Sequence, residues 1–283
     1  MTVSALVLGP AAIAEAPAPP VGNFGGGALV APPKDLFGPG NAIVGLRALD
    51  NRRLEIEATV RGKCAGGDIT ARTQLKADSR FSVKGSGTQE PSRGVKVRTT
   101  YTMSGAFTGP RAAEGKLSAT LRRTAEGRTT TCRTGSISFS ARRPEGTIGR
   151  RGAAPRARYF GVTAQRGVGP RRPIVLRISG DGRRISYALF GQQVRCSDGT
   201  RSIGLEAPRT NIRIDGNGRV SDRDRDEIDD DATRTNVDDR FEATIGRDGA
   251  KGTFSLSDRT IDKLTGNVIR SCRSGKIAWT AAP

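Results

Sequence analysis

Apolar and polar residues alternate one for one along much of this chain. In PIVLRIS, Ile174, Leu176 and Ile178 share one side, and Val175, Arg177 and Ser179 share the other. RFEATIG repeats the pattern with Phe241, Ala243 and Ile245, GTFSLSD with Phe254 and Leu256, and KIAWTA with Ile277 and Trp279. Successive side chains of a strand point to opposite faces, so each stretch predicts a strand with one buried face. Gly180-Asp181-Gly182, Asp215-Gly216-Asn217-Gly218 and Asp248-Gly249 supply turns between them. No window carries the three-and-four spacing of an amphipathic helix. The expected fold class is all-β: two tandem antiparallel β-meander domains of about eight strands each, closed as a barrel or a sandwich.

Two domains are expected because the chain resembles itself. CRTGSISFSA (132–141) is answered by CRSGKIAWTA (272–281), and GKCAGGD (62–68) by VRCSDGT (194–200). AIVGLRALDNRRLEI (42–56) corresponds to PIVLRISGDGRRISY (173–187), and GAFTGPRAAEGKLSATL (105–121) to EATIGRDGAKGTFSLSD (242–258). NFGGGAL (23–29) matches RYFGVTA (158–164) more weakly, and the order is the same throughout. The expected division is a β-domain over 23–143, a Pro/Gly/Arg-rich linker over 144–157 and a second β-domain over 158–283. The Pro/Ala-rich residues 1–22, with the apolar run ALVLGPAAIA, read as a signal-peptide-like or disordered N-terminus.

The four cysteines are Cys64, Cys132, Cys196 and Cys272, and none forms a C-x-x-C pair. Three pairings are open to them. Duplication favours closure within each unit, Cys64–Cys132 and Cys196–Cys272. Stable disulfides need an oxidising compartment, so the expected location is secreted or cell surface. The chain has no histidine, which excludes Ser-His and Cys-His catalysis and imidazole metal ligands.

Net charge is +19, from 47 basic residues of which 38 are arginine. It is uneven: residues 23–143 carry net +12 and residues 158–283 net +6. A basic surface attracts polyanions, and anionic cell-wall polymer or a similar surface is the expected partner. Aromatics are scarce, with nine Phe, three Tyr and one Trp, and no helix-turn-helix, RRM or zinc-finger pattern occurs. Specific nucleic-acid recognition is therefore not expected. No apolar run is long enough for a transmembrane helix.

The acidic run SDRDRDEIDDDATRTNVDD (221–239) is the one candidate metal motif. Residues 222–230 resemble a thrombospondin type 3 calcium loop, with Asp222, Asp224, Asp226 and Asp230 on the carboxylate positions. Alternating carboxylates suit calcium because it gathers six to eight oxygens. Glu227 replaces the glycine of that pattern, and Arg223 and Arg225 fill its spacers. Glu55 and Glu57 share one strand face, and their setting reads as a solvated sheet surface rather than a glycosidase pair. GGGALVAPP (25–33) lacks the ending of a phosphate-cradling loop.

With CAGG and CSDG strand starts, a Gly-rich meander and a terminal CRSGKIAWTA strand, the two units resemble exported all-β repeat proteins of high-GC actinobacteria. That resemblance implies export and an all-β fold, with no activity or ligand attached. The expected role is a non-catalytic exported two-domain β protein, cell-envelope-associated or ligand-binding. A calcium-dependent adhesion module using the acidic run and a carboxylate-only hydrolase are the alternatives. No catalytic residue is assigned, and calcium is the one candidate cofactor.

Overall fold

A computed structural model of the protein describes residues 20–28, 40–92, 94–145, 148–149, 152–165, 169–205 and 210–283. The leader-like reading of residues 1–22 lies outside this range save for its last three residues, and the linker reading is covered only in part. The described residues form strands and turns, with no helix among them and hence none long and apolar enough to cross a membrane.

The first sheet contains β1 (Gly22–Ala28), β2 (Ala42–Ala48), β3 (Arg53–Arg61), β4 (Gly66–Gln74), β5 (Arg80–Ser92), β6 (Val95–Gly109), β7 (Ala112–Ala125) and β8 (Arg128–Arg142). The second contains β9 (Arg158–Thr163), β10 (Pro173–Ile178), β11 (Arg184–Cys196), β12 (Arg201–Leu205), β13 (Ile212–Arg213), β14 (Arg219–Asp229), β15 (Thr233–Ile245), β16 (Ala250–Asp262), β17 (Val268–Arg273) and β18 (Ile277–Ala282). All ladders are antiparallel. The first sheet runs β4-β3-β2-β1-β8-β7-β6-β5, and the second runs β12-β11-β10-β9-β18-β16-β15-β14, with β13 beside β11 and β17 between β11 and β16. Each sheet is a meander curled on itself, its last strand returning to pair with its first.

Inward residues build two separate cores. Phe24, Leu46, Leu54, Ile56, Met103, Leu117 and Leu121 fill the first. Tyr159, Ile174, Leu176, Phe190, Phe241, Phe254 and Trp279 fill the second, where Phe190 stacks on Phe254 at 5.0 Å and Phe241 on Trp279 at 5.5 Å. The first curl is closed without a ladder between β4 and β5. Side chains stitch that seam: the Asp68 amide donates to Gln89 Oε1 at 3.1 Å, Gln89 Nε2 to the Gly66 carbonyl at 3.1 Å and the Tyr101 hydroxyl to the Thr70 carbonyl at 3.3 Å.

Cys64 is joined to Cys132, with Cα atoms 5.9 Å apart, and Cys196 to Cys272 at 3.9 Å. Each bridge links β3 or β11, or the turn just beyond it, to the final strand region of the same sheet. Cross-links spanning 68 and 76 residues contribute roughly 4 kcal/mol each in the loop-entropy account.

The two sheets meet on their outer faces. Ile43 from β2 packs with Phe160, Val175, Tyr187 and Leu189 from β9, β10 and β11. Asn41 Nδ2 donates to the Tyr187 hydroxyl at 3.0 Å, and the Arg171 amide donates to Asn23 Oδ1 at 3.0 Å. At the centre β1 and β9 touch backbone to backbone. A Cβ on Gly25 would lie 1.9 Å from the Gly161 carbonyl oxygen, so the contact requires glycine there.

Two outcomes follow for stability. Gly25→Ala pushes the sheets apart and costs about 3 kcal/mol, read by chemical denaturation. Burial pushes the Tyr187 hydroxyl up to about 12, against the opposing pull of Arg61. An unfolded tyrosine ionises near 10. The stabilising effect of a neutral Tyr187 is therefore complete below about pH 10 and is lost as pH rises towards 12. Tyr187→Phe flattens the alkaline fall in unfolding free energy. An identical fall in both proteins would contradict this.

Candidate functional site

The long strands β5 to β8 bury one side and display the other. In β6, Val97, Thr99, Tyr101 and Met103 face the core, so Lys96, Arg98, Thr100, Thr102 and Ser104 face out. Branched and aromatic residues favour this pleated surface, which holds the pattern in register. The ladders align the outward residues into rows. Thr88, Arg98, Arg122 and Thr131 form one; Ser86, Thr100, Thr120 and Arg133 the next; then Lys84, Thr102, Ser118 and Ser136. Ser82, Ser104, Lys116 and Ser138 lie beyond them, with Lys96, Thr124 and Thr129 at the opposite margin.

Every residue in these rows is Ser, Thr, Lys or Arg. Six are cations: Lys84, Lys96, Arg98, Lys116, Arg122 and Arg133. All six are exposed, and none forms an ion pair. Arg98 and Arg122 stand directly opposite each other. Like charges in directly opposite positions on a ladder are destabilising. Hydroxyls fill the gaps, and some bond to each other, as Thr102 with Ser118 at 2.8 Å. Carboxylates enter only at the two margins: Glu114 in the row beyond Lys116, and Glu90 of β5 beside Lys96, where it accepts the Gly94 amide at 3.2 Å. The face can place cations and hydroxyl donors against a repeating anion. It has no aromatic platform for stacking on bases or sugar rings.

The outer side of the second sheet differs. Arg223 pairs with Asp238, Arg225 lies 3.8 Å from the same carboxylate, and Arg234 reaches Glu227 at 3.3 Å and Asp229 at 3.4 Å. Lys263 adds a contact to Asp229 at 3.3 Å. The Arg223 guanidinium holds the Asp238 carboxyl below the usual range.

The residues expected as a calcium loop lie mostly on a strand. Asp222, Asp224 and Asp226 belong to β14, paired along its length with β15. Strand rise sets Asp222 and Asp226 about 13 Å apart. Ligands of one calcium ion each lie about 2.3–2.6 Å from it. Asp230 follows the strand, where its carboxylate accepts the Asp231 amide at 2.7 Å. Arginines at the intervening positions favour the extended form by pairing across to β15. Among the described residues no group of three or more acidic or cysteine side chains is placed to hold a metal ion.

Glu55 and Glu57 also differ from expectation. Neither lies on an open solvated face. Glu55 is buried between Arg47 at 2.5 Å and Arg72 at 3.6 Å, and Glu57 pairs with Arg172 across the contact between the sheets.

Three further cavities mark the second sheet. A shallow groove of about 950 Å³ crosses the outer side of β14, β15, β16 and β18. Its acidic groups are engaged: Asp215 accepts the amides of Asn217 and Arg219, and Glu242 lies 3.4 Å from Lys276 Nζ. A second cavity, of about 570 Å³, includes Asp238 and Asp258. Partial burial pushes the Asp258 carboxyl up, opposed by Arg270, whereas that of Asp238 is pulled down. Such divergence suits an acid and a base. However, Asp238 pairs in register with Ser257, the neighbour of Asp258, so alternation sends the two carboxylates to opposite faces. The third cavity lies beside Cys196.

No protein-family model matches this chain, and no curated protein matches it. A solved structure from Nitrosomonas europaea, provisionally assigned as AttH, aligns over 92% of this chain and 91% of its own at 9% identity, with a TM-score of 0.22. At that level neither fold nor function is carried across.

Millimolar calcium is expected to leave the melting temperature unchanged and to release no saturable binding heat. A calcium-dependent rise abolished by Asp224→Asn would overturn the strand reading of the acidic run.

Proposed function

We propose that this is a non-catalytic, exported two-domain β protein that holds to anionic cell-wall polymer, or a comparable anionic surface, through the outer face of β5 to β8. The supporting observation is that face itself: six cations without ion pairs, set among hydroxyls, with carboxylates only at its margins. A protein stabilising its own fold would pair such charges, as β14 and β15 do. Their retention side by side favours a partner that brings the negative charge. Two disulfides suit an oxidising setting outside the cytosol.

Binding of this kind weakens as salt screens it. Each cation near an anionic surface contributes about 1 kcal/mol. The triple variant K96Q/R98Q/R122Q should therefore bind on the order of 100-fold more weakly. Co-sedimentation with purified cell wall across a salt series measures this, with melting temperature as the control for folding. Salt-insensitive retention, or full retention by the triple variant, would sink the proposal.

A further inference from the structure

Beside the second disulfide, on the outer side of the second sheet, lies a cavity of about 640 Å³. Two arginines meet at it. Arg195, at the end of β11, stands directly opposite Arg273, at the end of β17. Both are exposed, and neither forms an ion pair or hydrogen bond to another side chain. Like charges directly opposite on a ladder are destabilising.

The remaining lining is neutral and polar, with Gln193 and Ser271 among its groups and no carboxylate. The walls are rigid. The Cys196–Cys272 bridge ties the residues adjacent to the two arginines, and the Ser197 amide donates to the Ser271 carbonyl at 2.8 Å. Gln165 clasps Gln193 by two hydrogen bonds, at 2.8 and 2.9 Å. Asp238, in the adjoining cavity, is held by Arg223 and Arg225.

We infer that this cavity binds a compact oxyanion, a phosphate or sulfate group, between the guanidinium groups of Arg195 and Arg273. The planar guanidinium fork matches such oxygens with two parallel hydrogen bonds. An anion here turns a repulsive pair into a bridged one. The volume leaves room for the remainder of a molecule carrying that group. The site is separate from the cationic face of the first sheet and does not depend on it.

The test is titration of the full-length protein with inorganic phosphate, and separately with sulfate, at constant ionic strength made up with chloride. Backbone and arginine side-chain NMR shifts provide the readout. One saturable site is expected, with shifts centred on Gln193, Arg195, Ser271 and Arg273. Arg195→Gln or Arg273→Gln should each weaken it by about tenfold or more, with melting temperature unchanged. Saturation by phosphate alone, or by sulfate alone, supports the site and identifies its source. K96Q/R98Q/R122Q should retain it, so failure of surface attachment and failure of this site are distinguishable. Shifts that grow linearly with either anion, or that persist when Arg195→Gln and Arg273→Gln are combined, would overturn the inference.

Discussion

Between Lys96 and Ser104 the pleat allows no two neighbours on the same side of the sheet. Val97, Tyr101 and Met103 must be buried, because their apolar surface supplies the interior of the first curl. The residues between them are thereby forced outward, and the ladders to β5, β7 and β8 fix which outward residues lie together. A slip of one residue would exchange core and surface throughout. The charged face is thus bound to the core by geometry, so it cannot be rearranged without unfolding the strands that display it.

The two sheets share a strand order and differ in what they display. In the second, arginines on β14 and β15 are answered by Asp229, Asp238 and Glu227. Exposed pairs of this kind add little to stability, yet they cancel the local field. On the outer face of β5 to β8 in the first, six cations stand without such partners, and the field reaches solvent. The difference in net charge between the two segments therefore has a spatial counterpart.

Much of this architecture was legible in the sequence. Ile174, Leu176 and Ile178, or Phe254 and Leu256, announce their strands because one side is apolar and the other is not. Other parts were hidden for physical reasons. The acidic run is drawn out along β14 by pairing across to Asp238 and Arg234, and no local pattern records a cross-strand partner. Glu55 and Glu57 sit on the outer side of β3 as expected. What the sequence did not disclose is that another sheet or arginine would cover that side. The face itself carried a signal in VKVRTTYTMS, where every second residue is charged or hydroxylated. Its extent over four strands became visible only with the register.

The seam between β4 and β5 has a consequence for motion. Everywhere else the first curl is sewn by rows of main-chain bonds, whereas here Gln89, Tyr101 and Thr73 act as a few separate buttons. Undoing them costs far less than parting a ladder. The curl should therefore breathe like a split collar, widening along one line while its opposite wall keeps its curvature.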